Sequence, residues 1–475
     1  MTLYENLAQR FISDIKAQKL PTGSRLPALR VICQQHKVSM TTATRAYDYL
    51  QQAGWIYAQP QSGYFVSSQA DAYQQDHAPA AQVSLDTMEP RDPKDFAPLN
   101  GYNPTSALFT PLGTSMIAPQ LQPAEALQRC IKRVTRRAGQ QLFEYPDPQG
   151  EIALRSALAQ HFQKEHFAFL PQDLVITNGC IDSVRIAIET LTQVGDTIAI
   201  GSPCFSGLLD LLVGLSRNVI EIPLGSDGLD LEYFESVLQQ GLVKASLFST
   251  SNINPTGQTL SVKQKQTLAQ LAARYQTPMI EDDIYFELSH QNLSPLPSKH
   301  WDTQGYVVWC GSVSKSLAAG MRLGWCLPGQ YLEAYRKKQV ATGFGVNGLM
   351  QSALAEFINT GEYQSHVNKV RRLLGAQIHD YRQFLSLNLP QETKISLPQG
   401  GIVLWLQIPN LNTLELERQA NQAGIDMRSG ACFSTHDVYH DCLRINCGWP
   451  LQSTVDKHSS YQQLKKLCGL INALV

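Results

Sequence analysis

The sequence lacks paired cysteines, long apolar runs and a strong net charge. Its ten cysteines occur singly, without a CxxC pair or a zinc-type cysteine–histidine spacing, and no secretory leader precedes Tyr4. No apolar run approaches the roughly 20 residues that a membrane span needs. We therefore expect a reduced, cytoplasmic protein with no structural metal and no membrane segment.

Length and charge distribution indicate more than one domain. A chain of 475 residues, 43% hydrophobic and 17% charged, is too long for one core, so two or three domains are expected. Residues 1–66 hold seven Lys/Arg and three Asp/Glu, whereas the rest of the chain holds 32 and 37, which gives +4 followed by -5. A small basic module on a mildly acidic body fits a nucleic-acid-binding head.

Residues 1–67, which we call the head, have the pattern of three helices and a hairpin. Apolar residues recur at helical spacing from Leu3 to Ile15, before turn residues at Pro21 and Gly23, and a second short helix is predicted after Pro27. Two runs that alternate like strands, 55–58 and 64–66, flank a turn at 60–63, which predicts a wing.

Ser39 can cap the third helix, in which one stripe is apolar and the opposite face is polar. The apolar stripe consists of Ala43, Ala46, Tyr47 and Leu50. The outward face consists of Thr41, Thr42, Thr44, Arg45 and Asp48. Such a small polar face suits a DNA major groove. A protein-interaction module with the same elements stays open on pattern alone.

The run from Gly23 to Val66 resembles the GntR winged-helix family along its whole length. The resemblance implies binding to a double-stranded DNA operator. The positions that match the family's DNA contacts are Arg25, Arg30, Thr41, Thr42, Arg45 and the wing Gly63. Met40 stands where the family more often has Arg, so the operator sequence stays open.

Residues 68–100 are predicted to be a flexible linker, because they are rich in Ala, Gln, Asp and Pro and show little apolar periodicity. After the linker, short runs rich in β-branched residues alternate with amphipathic helical stretches. The predicted strands are 174–177, 197–200, 245–249, 278–280 and 307–309. This alternation predicts a mainly parallel sheet wrapped by helices, with ligands at the carboxyl ends of the strands.

Polar clusters follow several of these strands. Lys315, with Arg322 as a neighbouring cation, is a candidate for imine chemistry, although a lysine in a loop is usually solvated. Asp282 can face a pyridine nitrogen, with Tyr285 near the ring hydroxyl, whereas a magnesium site is the alternative for these carboxylates. Asn254 lies in a tight turn that needs no ligand when taken alone.

Three further features fit the same cofactor. Gly179 and Cys180 pass from a strand into a helix, where backbone N–H groups can cradle a phosphate. Phe205 can stack on a cofactor ring, although most Phe residues simply pack in a core. Arg444 is a guanidinium in an apolar strand and needs a carboxylate partner there.

Across residues 101–475, which we call the body, these features resemble fold-type I aminotransferases. The resemblance implies pyridoxal 5'-phosphate (PLP) on Lys315 as an internal aldimine, with Asp282 at the pyridine nitrogen and Tyr285 and Asn254 at the ring oxygen. It implies a phosphate cup of Gly179, Cys180, Ser312 and Arg322, stacking by Phe205, and an α-carboxylate clamp at Arg444. Tyr145 matches the tyrosine that reaches the neighbouring subunit's phosphate, which implies a homodimer, although an exposed tyrosine needs no partner.

The combination resembles the MocR group of regulators: a winged helix-turn-helix head on an α/β fold-type I body. We expect a large subdomain at about 140–330 and a smaller α+β subdomain from about 101–139 and 331–475. Two positions depart from the common pattern of this group: Arg428 begins a segment that stands where Pro-Gly is usual, and Gly201 replaces an acidic residue. Both positions are expected close to the effector, so the identity of the effector stays open.

Three functions are compatible with the sequence. We favour a transcription regulator that senses PLP or an amino acid. The alternatives are an active transaminase with a 2-oxo acid acceptor and an attached DNA-binding head, and a dimerisation scaffold that has lost its cofactor.

Overall fold

The computed structural model divides into two compact units, Met1–His77 and Ala78–Val475. The described residues are 3–16, 19–21, 24–52, 55–59, 63–66, 90–92, 111–290, 294–451 and 459–475. The centre of the predicted wing turn, 60–62, and most of the predicted linker lie outside them.

The first unit has the predicted order of elements. Its helices and strands are α1 (Leu3–Lys16), α2 (Leu29–His36), α3 (Met40–Gln52), β1 (Ile56–Gln59) and β2 (Gly63–Val66). The two strands pair antiparallel, and the backbone N–H of Thr42 donates to Ser39 Oγ at 3.1 Å, as predicted for the α3 cap. The predicted stripe of α3 is fully buried, which turns its polar face outward.

The second unit contains an eight-stranded sheet with the order β3-β10-β9-β8-β7-β4-β5-β6. The strands are β3 (Val175–Thr177), β4 (Thr197–Ser202), β5 (Asn218–Gly225), β6 (Gly228–Leu229), β7 (Ala245–Phe248), β8 (Met279–Asp282), β9 (Val307–Ser312) and β10 (Gly324–Leu327). The five strands from β9 to β5 are parallel, and β10 and β6 run antiparallel to their neighbours. The predicted mainly parallel sheet is confirmed.

Helices cover both faces of this sheet, because alternate strand residues point to opposite sides. Ile280 and Val308 face a core formed with α6 (Cys180–Leu191) and α7 (Ser206–Gly214). On the other face, Met279 and Val307 pack with α8 (Leu231–Gln239) and α9 (Val262–Arg274). The remaining helices flanking the sheet are α4 (Ala124–Ala138), α5 (Ile152–Lys164), α10 (Leu332–Gly343) and α11 (Gly348–Asn359).

A second, four-stranded antiparallel sheet forms a smaller layer. Its order is β11 (Lys394–Ile395), β12 (Val403–Gln407), β14 (Cys442–Asn446) and β13 (Arg428–Ser429). It packs with the long helix α12 (Glu362–Asn388) and with α13 (Thr413–Gln422) and α14 (Ser460–Leu474).

Helices α4 and α11 share the core of the large sheet: Leu127 and Leu354 lie in one buried cluster with Ile176 and Trp325. The predicted small subdomain includes these two helices and α10, but all three pack with the large sheet, α10 through Tyr335. Within the predicted linker, Arg91 forms an antiparallel bridge with Val219 of β5. None of the described helices is long and apolar enough to span a bilayer.

Candidate functional site

Lys315 lies just beyond β9, at the carboxyl edge of the parallel strands. Its Nζ donates a hydrogen bond to the backbone carbonyl of Ser115 and lies 5.9 Å from the centre of the Tyr285 ring. Burial, reinforced by the positive charge of Arg444, lowers the pKa of Lys315 to about 8. Far more of this amine than of an ordinary solvent-exposed lysine is therefore unprotonated and nucleophilic near neutral pH.

Asp282 ends β8 and points into the same region, buried to 6% exposure. Its Oδ1 accepts a hydrogen bond from Cys180 Sγ at 3.1 Å and one from the Ile284 N–H at 3.4 Å. Burial raises the pKa of Asp282. Burial is also the larger cause, and the charge of Asp282 the smaller one, of a Cys180 pKa well above its usual value. The thiol thus stays protonated and can donate to the carboxylate.

Tyr285, Asn254 and Arg444 form a chain of polar contacts. Asn254 Nδ2 donates to the Tyr285 hydroxyl oxygen at 3.5 Å, and Arg444 Nη1 donates to Asn254 Oδ1 at 3.3 Å. Burial raises the pKa of Tyr285 to about 12. The phenol therefore remains a neutral hydrogen-bonding group at neutral pH.

Arg444 is nearly buried, at 3% exposure, in β14 of the small sheet. Its Nη2 donates to the Gly113 carbonyl, its guanidinium lies 5.4 Å from the centre of the Phe433 ring, and its Nε has no hydrogen-bond partner among the described residues. Burial lowers the pKa of Arg444 to about 10. A buried cation with an unused donor fits an anionic ligand. Arg428 lies directly opposite Arg444 in the β13–β14 pairing.

Gly179 and Arg322 form one side of the candidate phosphate cradle. Gly179 adopts a φ of +98° before α6, and a Cβ built there would lie 2.8 Å from Arg322 Nη2, so glycine lets the guanidinium approach closely. Arg322 Nη2 donates to the Asn178 carbonyl at 2.7 Å. Ser312 Oγ lies 2.8 Å from Ser314 Oγ and also bonds the carbonyl of Leu323.

The two aromatic candidates lie in different surroundings. Phe205 is partly buried at the start of α7 and packs against the core beneath the site. A Cβ at Gly207 would meet the Phe205 ring at 2.6 Å, so the small residue makes room for the ring. Tyr145, in contrast, is 90% exposed.

The candidate DNA-contacting residues lie on the surface of the first unit. Arg25, Arg30, Thr41 and Arg45 are exposed and Thr42 is partly exposed. Gly63 has a φ of +107°, and a Cβ there would lie 3.3 Å from Arg25 Nε. The wing glycine thus allows the Arg25 guanidinium to lie against β2.

Comparison with known proteins supports both halves of this arrangement. The family model "Aminotransferase class I and II" matches residues 118–454, and "Bacterial regulatory proteins, gntR family" matches residues 3–66. The chain belongs to the class I and II aminotransferase family and carries a GntR-family head. This is the MocR-type combination.

Two regulators with uncharacterized functions, both from Escherichia coli (strain K12), resemble this MocR-type chain throughout. The HTH-type transcriptional regulator YdcR is 31% identical over 469 residues, covering 98% of this chain and 99% of the relative. YjiR is 30% identical over 472 residues and covers 96% of each.

Solved aminotransferases share the fold of the body. The α-aminoadipate aminotransferase LysN of Thermus thermophilus, complexed with N-(5'-phosphopyridoxyl)-L-leucine, has a TM-score of 0.69 at 21% identity, covering 76% of this chain and 92% of that one. The kynurenine aminotransferase of Pyrococcus horikoshii has a TM-score of 0.70 at 23% identity, covering 77% and 92%.

The donor set of the MocR-type body fits a phosphorylated pyridine aldehyde. A buried carboxylate, a nucleophilic amine, a phenol with an amide, and a glycine-arginine cradle occupy neighbouring strand ends, and Arg444 keeps a buried donor unused. Sequence reasoning missed Gly113, Ser115 and Phe433. The first two act through backbone carbonyls, which carry no side-chain signal, and Phe433 looks like any core aromatic residue.

Proposed function

We propose that the chain is a DNA-binding transcription regulator whose body holds PLP on Lys315 and senses the cofactor or an amino acid. The observation that carries the proposal is the convergence of Lys315, Asp282, Tyr285, Asn254 and Arg444 in a chain with a GntR-family head. When bound, PLP supplies an aldehyde that takes up an amine with loss of water.

The chain's own residues would divide the work of binding. Asp282 would hold a proton on the pyridine nitrogen, with the Cys180 thiol fixing its carboxylate. Tyr285 and Asn254 would orient the ring oxygen, and Phe205 would stack on the ring. The N–H groups of Gly179 and Cys180, with Ser312 and Arg322, would neutralise the phosphate.

Arg444 would select the ligand. A guanidinium binds a carboxylate with two hydrogen bonds, and the Arg444 donor that lacks a partner is available for one of them. An amino acid would displace the Gly113 carbonyl and exchange with the Lys315 amine. Arg428, opposite Arg444, would then face part of the bound effector.

The head would contact duplex DNA through α3 and the wing. Thr41, Thr42 and Arg45 lie on the polar face of α3, while Arg25 and Gly63 meet at β2. Arg30 adds an exposed cation on α2. These groups suit phosphate contacts and a major-groove helix.

We also propose a homodimer in which Tyr145 completes the partner's phosphate site. Exposure of 90% of an aromatic side chain, with Phe143 exposed to 89% two residues earlier, supports a surface that a second copy covers. Two heads in one dimer would bind two half-sites, so a change in the body can alter their fit to DNA.

An active transaminase is the second candidate. The observation in its favour is the amine of Lys315, whose pKa of about 8 suits proton transfer near neutral pH. Incubation with amino acids and a 2-oxo acid distinguishes the two functions. Turnover of roughly 1 per second or faster would favour the enzyme.

DNA footprinting of the purified protein, with and without PLP and amino acids, tests the regulator. The expected result is a protected site whose occupancy changes with PLP in the wild type and not in Lys315→Ala. A footprint that is identical under all conditions would refute sensing, and the absence of any footprint on the chain's own upstream region and neighbouring promoters would refute DNA control there.

A further inference from the structure

A buried carboxylate outside the contacts described above connects several elements behind Lys315. Glu287 is 4% exposed in a short 3-10 helix, Phe286–Leu288. His161 Nε2 donates to its Oε1 at 2.7 Å, and the Tyr363 hydroxyl donates to its Oε2. A carboxylate buried this deeply is tolerated because its oxygens are occupied by donors.

The same carboxylate reaches the residue next to Lys315. Ser316 Oγ donates to Glu287 Oε2 at 3.2 Å, and the Ser316 carbonyl accepts a hydrogen bond from His366 Nε2 at 2.9 Å. Ser316 is 1% exposed. The hydroxyl and the carbonyl of this residue are therefore both held by hydrogen bonds, which restricts the backbone that carries the Lys315 side chain.

Glu287 is also connected to the Tyr285 side of the site. Tyr285 immediately precedes the 3-10 helix, and Arg371 Nε donates to the Glu287 carbonyl at 2.7 Å. Arg371 in turn pairs with Glu165 at 3.1 Å. One buried network thus joins the segment of Tyr285, the segment of Lys315 and helix α12.

We propose that Glu287 is a positioning residue that, through Ser316, holds the Lys315 amine where it can reach the aldehyde of PLP. The inference rests on the proposed function. In the step concerned, the unprotonated Lys315 nitrogen forms a double bond to the aldehyde carbon, the carbon–oxygen bond of the aldehyde breaks, and the oxygen leaves as water with the two hydrogens of the amine. This step requires the amine to be placed within a fraction of an ångström, whereas the other contacts of the cofactor do not involve Lys315.

Comparison of two ligands isolates this role. Pyridoxamine phosphate has the same ring and phosphate as PLP but carries an amine in place of the aldehyde, so it cannot form the bond to Lys315. In Glu287→Gln, the affinity for PLP should fall about tenfold or more, while that for pyridoxamine phosphate stays within about twofold. Ser316→Ala removes the hydrogen bond to Glu287 and a 3.2 Å contact with the Tyr363 hydroxyl, and leaves the Glu287 carboxylate in place. It should show the same selective loss, at about threefold.

Glu221→Gln is the matched control. Glu221 is 2% exposed and accepts hydrogen bonds from Ser434 and Thr435, and among the described residues it makes no hydrogen bond with residues 313–317. It should leave the ratio of the two affinities unchanged. If Glu287→Gln does not fold, Ser316→Ala decides the question.

Two results would overturn the inference: equal loss of both ligands, which indicates a general structural role, or no loss of either. A wild-type protein that binds neither ligand would instead contradict the proposed function, so the two failures are distinguishable.

Discussion

Arg444 donates a hydrogen bond from Nη1 to Asn254 Oδ1 at 3.3 Å, which joins the small sheet to a turn that follows β7 of the large sheet. Asn254 in turn contacts the Tyr285 hydroxyl. The group suited to an amino acid's carboxylate is thereby coupled to the groups suited to the cofactor ring. Ligand binding at Arg444 can therefore change the contacts on both sheets.

Substitution of Arg444 should separate amino-acid binding from cofactor binding. In Arg444→Gln, the affinity for amino acids should fall by roughly 10- to 150-fold, because a charge-assisted hydrogen bond to a carboxylate contributes about 1.5–3 kcal/mol. Spectral titration of the PLP-loaded protein measures this affinity. PLP affinity measured at a pH above the Lys315 midpoint should change by less than about threefold, and unaltered amino-acid affinity would remove Arg444 from the ligand site.

The rate of PLP capture should rise with pH with a midpoint at about 8. Only the unprotonated amine attacks an aldehyde, and burial together with Arg444 lowers the pKa of Lys315 to about 8, so the rate should be half-maximal near that pH and level off above it. Stopped-flow absorbance at constant PLP provides the profile. Because Arg444 is one cause of the lowered pKa, Arg444→Gln should move the midpoint upward. A wild-type midpoint near the ordinary lysine value would contradict the assignment.

Arg45 should contribute to DNA affinity through a phosphate or base contact. Arg45→Ala is expected to weaken duplex binding by about 1–3 kcal/mol and, if the contact is to a phosphate, to reduce the salt slope by about 0.9. Fluorescence anisotropy at several salt concentrations measures both. Arg10→Ala, which changes an exposed arginine of α1, is the matched control. Equal effects of the two substitutions would argue against α3 as the recognition helix.

Mixing two impaired variants tests whether Tyr145 acts across a dimer interface. Tyr145→Ala should lower PLP affinity, and Lys315→Ala should abolish covalent capture. When the two variants are mixed and allowed to exchange subunits, one site of each mixed dimer combines Lys315 with the partner's intact Tyr145, so high-affinity capture should return. No recovery after verified exchange would place the role of Tyr145 within its own subunit.

Most of the fold could be predicted because local patterns determine it. The sequence pattern predicts the strand that ends at Asp282 and the strand that precedes Lys315 within a few residues of their observed bounds, and parallel strands bring their carboxyl ends to one edge. Arg444 is different, since it lies in another sheet, and only the family resemblance related it to Lys315. The subdomain boundary was harder still, because the helical pattern of α4 does not reveal which sheet covers its apolar face.

The contacts that support Lys315 and Arg444 could not be predicted from the sequence, because they join residues that are far apart in the chain. Glu287 and His161 are separated by 126 positions, and neither has a local pattern that marks a partner. Gly113 and Ser115 meet Arg444 and Lys315 through backbone carbonyls, which every residue possesses. Such contacts depend on how distant elements pack together.

Borohydride reduction of the PLP-treated protein, followed by peptide mass analysis, shows whether Lys315 forms the bond to PLP. The peptide containing Lys315 should gain a reduced pyridoxyl phosphate group, and the corresponding peptide of Lys315→Ala should gain none. An unmodified Lys315 after treatment with excess PLP, or labelling spread equally over exposed lysines such as Lys132, would contradict the proposed bond.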